Sequence, residues 1–274
     1  MRTVLTLSLL LLGHTALAET PNSATEQGLP RLQSLWEEAS DSRNWQAVAG
    51  LGVGYAPEIM GGEVYKATAL PSFDLSHRSG FFVGSSKGLG WSYAANPDWQ
   101  AAIFIGMSPG RKEKTKLTDK QTFKGMGEIK AAAQAGLLLS YSLQDLNLSL
   151  QATTGLDSKN RGQQITLGAD YTVYSSAQFA LMINGALTAS SSDYQQRWYG
   201  VSAAQARKSG FKAYQAGSGL TQGSVGLTAI VPLSNSLRWV NAVSYNQLLG
   251  DAADSPLVKE KGSAALMSAL QYTW

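Results

Sequence analysis

The amino-acid sequence predicts an all-β fold, a transmembrane antiparallel up-and-down β-barrel of about twelve strands within a range of about ten to fourteen. Three observations carry this reading. Segments of roughly ten residues alternate apolar with small or polar residues, and each ends in Gly, Asn, Asp, Ser or Pro. Aromatic residues gather at the segment ends, as interfacial girdles do. Short connections alternate with long ones, the arrangement of periplasmic turns and external loops.

The chain opens with Arg2, an apolar run from Val4 to Leu12, and Ala16-Leu17-Ala18 before Glu19. These are the charge, core and small-residue cleavage site of a secretory signal, which places residues 1–18 in a removable leader. The apolar run is too short to span a bilayer, and no later run is long and uninterrupted enough for a transmembrane helix. Residues 19–44 are polar, contain Pro21 and Pro30, and place Leu32, Leu35 and Trp36 at helical spacing. They read as a periplasmic segment with a short helix, either a tether to the first strand, a plug for the lumen or a contact for a periplasmic partner. The barrel is expected over residues 45–274.

In the first strand Trp45, Ala47, Ala49, Leu51, Val53 and Tyr55 share one face, against Gln46, Val48, Gly50, Gly52 and Gly54. Phe81 to Tyr93 forms the least regular hairpin. Trp99, Ala101, Ile103, Ile105 and Met107 oppose Gln100, Ala102, Phe104 and Gly106; Ile129 to Tyr141 alternate against Lys130, Gln134, Gly136 and Ser140. Leu146, Leu148 and Leu150 oppose Asn147, Ser149 and Gln151, while Ile165 to Val173 oppose Gln164, Thr166, Gly168 and Asp170. Val225 to Leu233 repeat the pattern. Trp45, Trp99, Tyr141, Phe179, Trp239 and Trp274 mark one end of their segments; Tyr55 and Tyr245 mark the other. Short links near 77–80, 96–98, 143–145, 175–177 and 234–236 alternate with long links near 56–66, 110–127, 157–161, 190–212 and 249–261. An even strand count leaves both termini in the periplasm. The last segment alternates through Leu266, Ser268, Leu270 and Tyr272 to a terminal Trp274, and Leu270, Tyr272 and Trp274 resemble the signal read by the barrel-assembly machinery.

Composition removes several functional classes. Without Cys there is no disulfide framework, thiolate metal site or Cys nucleophile. Of two His, His14 lies in the leader, so any general base of the usual kind must be His77. Asp74 lies three residues away and points to the opposite face of the same strand, so the two form no local dyad. No catalytic, cofactor or metal residue is assigned. The 22 Lys and Arg against 19 Asp and Glu give no electrostatic footprint for nucleic acid. Gly50, Gly52, Gly54, Gly217, Gly219 and Gly223 sit inside strand patterns rather than before helices, so they are not phosphate loops.

Two further features bear on partners. Arg111, Lys112, Lys114, Lys116, Lys120 and Lys124 outnumber Glu113 and Asp119 in the 110–127 link. This is either a solvated loop or, for Arg111, Lys112, Lys114 and Lys116 in particular, a set of contacts to lipopolysaccharide phosphates. Asp74, Lys130, Asp170 and Arg238 are expected to face the lumen and to pair and hydrogen-bond there, or else to form a selectivity filter. The weak point of the register is Asn241, which falls among Leu237, Trp239, Val243 and Tyr245 on the lipid face. A bulge or a contact within the membrane would accommodate it.

Three stretches carry a family resemblance. Tyr199-Gly200-Val201-Ser202 with Ser209-Gly210-Phe211, then Gly250-Asp251 through Asp254-Ser255-Pro256, and then Tyr55, Gly61, Gly62, Tyr65 and Pro71, resemble the MipA/OmpV family of outer-membrane proteins. The Ala56-Pro57-Glu58 loop departs from the expected Asp-rich pattern. The resemblance implies a non-enzymatic scaffold linking the outer membrane to a peptidoglycan lytic transglycosylase and a bifunctional penicillin-binding protein. A small channel, or a surface receptor or adhesin tied to osmotic or envelope stress, is the competing expectation. Inward Phe104 and Met182 would narrow a barrel already smaller than the open porins, which favours the scaffold.

Overall fold

A computed structural model describes residues 44–86, 88–157 and 162–274. The leader and almost all of the 19–44 segment lie outside the described residues. Twelve strands close into an antiparallel barrel: β1 (Trp45–Pro57), β2 (Tyr65–His77), β3 (Phe81–Gly84), β4 (Gly88–Ala94), β5 (Trp99–Ser108), β8 (Ala132–Leu143), β9 (Leu146–Gly155), β10 (Gln163–Ser175), β11 (Ala180–Ser190), β12 (Gly219–Pro232), β13 (Leu237–Leu248) and β14 (Gly262–Thr273). A separate ribbon, β6 (Lys116–Thr118) with β7 (Gln121–Thr122), lies in the connection between β5 and β8. Every barrel strand pairs with its sequence neighbours, and β14 returns to β1 with Thr273 opposite Val48 and Leu266 opposite Tyr55.

The barrel is inside out relative to a soluble protein. Leu51, Ile103, Ile105, Leu167, Val225 and Leu266 stand on the outer face with half or more of their surface exposed. The large belt they form with their neighbours would be an aggregation surface in water, and it is the lipid-facing band of a membrane-spanning barrel of the outer-membrane type. Aromatic pairs sit at both rims. At the rim where β1 begins and β14 ends, here the terminal rim, Trp45 lies 4.5 Å from the His77 ring and Trp99 lies 4.6 Å from Tyr141. At the distal rim Tyr55 stacks on Tyr65 at 5.3 Å. The girdle expectation is met.

Inside, Met182, Ile230, Val240 and Met267 pack into a buried apolar cluster, with Leu70 against it. The Phe104 ring lies over Gly136, where any side chain would collide with it. Phe104 and Met182 thus narrow the lumen as their inward register requires. Polar residues stand among small and apolar ones on the rest of the inner wall. Arg238, 5% exposed, donates from Nε to Gln271 Oε1 at 2.8 Å, Asn147 Nδ2 donates to Ser142 Oγ at 2.9 Å, and Asn184 Nδ2 donates to Thr228 Oγ1 at 3.2 Å.

The structure refines the register in one place and shows how two residues in the expected register are held. The strand expected from Ile129 begins only at Ala132, because Ile129 is held in an antiparallel bridge with Arg111 outside the barrel. Lys130 is therefore an exposed residue of the connection, not a lumen charge. Arg238 does face the lumen, and an amide of the paired strand holds it there by a hydrogen bond. Asn241 does lie on the outer face, but with no bulge there. Its Oδ1 accepts from Ser268 Oγ of the paired strand at 2.8 Å, and the Trp239 indole N–H donates to that same hydroxyl at 2.8 Å. Two polar outward residues satisfy each other under an indole roof, so neither is left unpaired in hydrocarbon.

Closure depends on the last residues. Trp274 and Ala47 exchange both backbone hydrogen bonds, and Tyr272 sits opposite Ala49. Deleting Tyr272 to Trp274 is expected to abolish the folded, heat-modifiable band on semi-native gels. A truncated protein that still migrates as a folded barrel would contradict this role.

Candidate functional site: the capped barrel mouth

Short turns close the terminal rim, whereas the distal connections are long and fold together. Residues 191–218 form helix α1 (Ser192–Tyr199) and helix α2 (Ala203–Ser209), and the connection after β13 carries the single turn α3 (Gly250–Ala253). Local sequence explains the helices. Ser191 caps α1 by accepting from the Tyr194 N–H, and Ser202 with Gln205 forms a reciprocal capping box at the start of α2. Gly210 ends α2 at φ 78°, a conformation that disfavours a side chain.

These connections share a core. Ile59, Met60, Leu117, Phe123, Met126, Trp198, Tyr199, Val201, Phe211, Leu248, Ala252, Ala253 and Leu257 are buried together, drawn from four connections and the distal end of β13. At roughly 1.5–3 kcal/mol for each large apolar side chain fully buried, such a cluster holds the connections as one cap.

The motif residues stitch that cap. Val201 exchanges both backbone bonds with Tyr214 at 2.8 Å, Gly200 terminates α1, and the Tyr199 carbonyl accepts Ser255 Oγ at 2.5 Å. Asp251 accepts the Gly217 N–H at 2.6 Å through its carboxylate and the Tyr214 hydroxyl at 2.8 Å through its carbonyl. Asp254 pairs with Lys261 at 2.8 Å, and the Pro256 carbonyl accepts Lys259 Nζ at 3.4 Å. Gly61, at φ 88°, offers its carbonyl to the N–H groups of Lys259 and Glu260, and the adjoining Gly62 donates its N–H to the Ile59 carbonyl at 3.0 Å. Tyr65 accepts the Ala264 N–H at its hydroxyl. Pro71 is apart from the cap, opposite Leu51 within the wall.

Arg111, like Lys130, lies elsewhere than the sequence pattern suggests. Expected at the surface beside three lysines, it is 1% exposed. Its Nη1 donates to the Trp198 carbonyl at 3.0 Å, and its guanidinium lies 4.2 Å from the centre of the Phe123 ring. Burial pushes its pKa down to about 10, so it remains charged at neutral pH, and burial pushes the Tyr199 hydroxyl up. Only the bridge of Arg111 to Ile129, invisible in the local charge pattern, turns this cation inward. Lys112, Lys114 and Lys116 are exposed as expected.

Beneath the cap is a chamber of about 70 Å³, lined by Gln134, Gln151, Gln164 and Gln222 with Tyr194 and Tyr199 among others. It has room for a few waters. At the opposite rim His77 Nδ1 lies 2.8 Å from Ser79 Oγ and the ring packs on Trp45, while Asp74 accepts Ser86 Oγ at 3.0 Å. The His77 ring is part of the girdle.

Two outcomes test these placements. Arg111→Met should leave the barrel heat-modifiable but loosen the cap by about 2 kcal/mol, because Trp198 loses a buried charged donor. That corresponds to more than tenfold faster limited proteolysis within residues 191–218, and unchanged proteolysis would contradict the assignment. His77→Ala should cost at most about 1 kcal/mol of stability, as loss of one exposed aromatic contact does, and a larger loss of stability would place the ring elsewhere than the girdle.

A family model described as MltA-interacting protein MipA matches residues 49–274. No curated protein matches the chain in sequence. Among solved structures, OmpT of Vibrio cholerae is 7% identical over 84% of this chain and 97% of its own, with a TM-score of 0.41. The KdgM porin is 10% identical over 82% and 98%, at 0.41, and the NanC porin is 9% identical over 82% and 98%, at 0.43. The family match covers the barrel from its first strand to its last residue, and the chain belongs to the MltA-interacting protein MipA family.

Proposed function

We propose that this protein is a non-catalytic scaffold of the outer membrane, which holds a lytic transglycosylase and a bifunctional penicillin-binding protein at the periplasmic face. The observation that carries the reading is the folded mouth: a cap with its own buried core lies over one end, and an apolar cluster narrows the lumen below it. A barrel built this way is suited to holding partners rather than passing solutes. The family description supports a partner of the lytic transglycosylase class. In this reading both termini and the short turns face the periplasm, and the cap faces outward with Lys112, Lys114 and Lys116 toward lipopolysaccharide phosphates. Leu270, Tyr272 and Trp274 serve as the signal for barrel assembly.

The polar chamber under the cap favours a second reading, a small channel or surface receptor. The readings differ in which side of the membrane matters. The turns at the terminal rim are short, and a stable interface buries about 1,200 to 2,000 Å² in total, so residues 20–44 have to contribute to a scaffold. Removing residues 20–44 with the leader kept should abolish co-purification of wall enzymes from crosslinked envelopes while the barrel assembles normally. Undiminished recovery of those enzymes would sink the scaffold reading.

A further inference from the structure

The barrel wall is uneven in height. β3 and β4 have 4 and 7 residues, whereas the other barrel strands have 10 to 14, and crossing a bilayer takes about 9–11. β2 pairs with β1 along its whole length, but with β3 only from Asp74 to Ser76. On the other side, β4 covers β5 from Gln100 to Ile105. Among the described residues no strand completes the second edge of β2 over residues 65–72. Ordinary stagger is smaller: the β8–β9 ladder starts at Gln134, leaving only Ala132 and Ala133 beyond it. The result is a notch above the β3–β4 hairpin, bounded by β2 and β5 and spanning three strand spacings, about 14 Å.

The lower part of the β2 edge is satisfied without a strand partner. The Phe73 N–H donates to Ser85 Oγ at 3.0 Å, and the Phe73 carbonyl accepts the Ser85 N–H at 2.8 Å. Odd-numbered positions of β2 therefore turn their backbone groups toward the notch. The next such position is Pro71, which has no N–H. The hairpin tip is tied down by Ser86 Oγ donating to Asp74 Oδ1. Beyond it the Pro71 carbonyl and the Ala69 N–H and carbonyl face the notch, four residues short of Tyr65 at the distal girdle. Behind the notch an apolar patch of Leu70, Phe82 and Phe104 lies among the polar inward residues Thr68, Ser72 and Asp74 of β2. Leu70 packs on the Met182, Ile230, Val240 and Met267 cluster, and Phe82 and Phe104 both close over Gly90. Outside, Phe73, Leu89, Ile105 and Met107 are exposed around it.

We propose that this notch is a lateral port through which an acyl chain of a surrounding membrane lipid enters the barrel and packs on Leu70, Phe82 and Phe104. The occupant follows from position. The notch lies between the Tyr65 girdle and the His77 girdle, at the depth of the bilayer hydrocarbon. Pro71 breaks the ladder that an added protein strand would need. The inference is independent of the scaffold reading, since it needs only a barrel in a bilayer.

The absence of Cys makes the test clean. Single variants Leu70→Cys and Phe104→Cys, with lipid-facing Ile103→Cys and lumenal Val240→Cys as references, would carry a bimane label. Each would be reconstituted into phosphatidylcholine vesicles with or without dibrominated acyl chains, after heat-modifiability confirms folding. Both notch labels should be quenched to an extent comparable with Ile103→Cys, and several-fold more than Val240→Cys. Quenching of either notch label no greater than that at Val240→Cys overturns the port. A second copy or another strand seated on β2 would shield the labels and give that same overturning result.

Discussion

In a bilayer there is no water to take up a backbone N–H or C=O, and the structure follows from that single constraint. It forces the strands to close, which is why Trp274 reaches back to Ala47. It also governs the exceptions. Asn241 and Ser268 would each be costly alone on the outer face, and they are placed opposite one another so that each satisfies the other. Where the wall falls short above β3 and β4, a proline stands at the deepest edge position that no strand covers.

Outside the hydrocarbon the constraint relaxes, and soluble-protein chemistry returns. The cap has a hydrophobic core, capped helices and one buried cation, none of which the barrel wall displays on its outer face. Its motif residues do not converge on a reacting centre. They bind one connection to another: Ser255 to Tyr199, Tyr214 to Asp251, Gly61 to Lys259. In this chain these residues hold the connections of the cap to one another.

The barrel was legible in the sequence because its rule is local. A period of two, aromatic ends and alternating link lengths can all be read from neighbouring residues, and they fixed the inward register of Phe104 and Met182 correctly. What was not legible depends on contacts far apart in the chain. Nothing near Arg111 reveals that Ile129 and Trp198 will enclose it. Lys130 looked like a wall residue because alternation runs on past the point where the ladder stops. The Phe81 to Tyr93 hairpin stood out as irregular, but that irregularity became a gap in the wall only once the length of its neighbours was known.

The central claim is that cap and apolar cluster together seal the lumen. Planar-bilayer recording of the purified, reconstituted protein tests it most directly. The account predicts no steady conductance above the bare bilayer at moderate voltage and salt, whereas a stable ohmic conductance from the intact protein would contradict it.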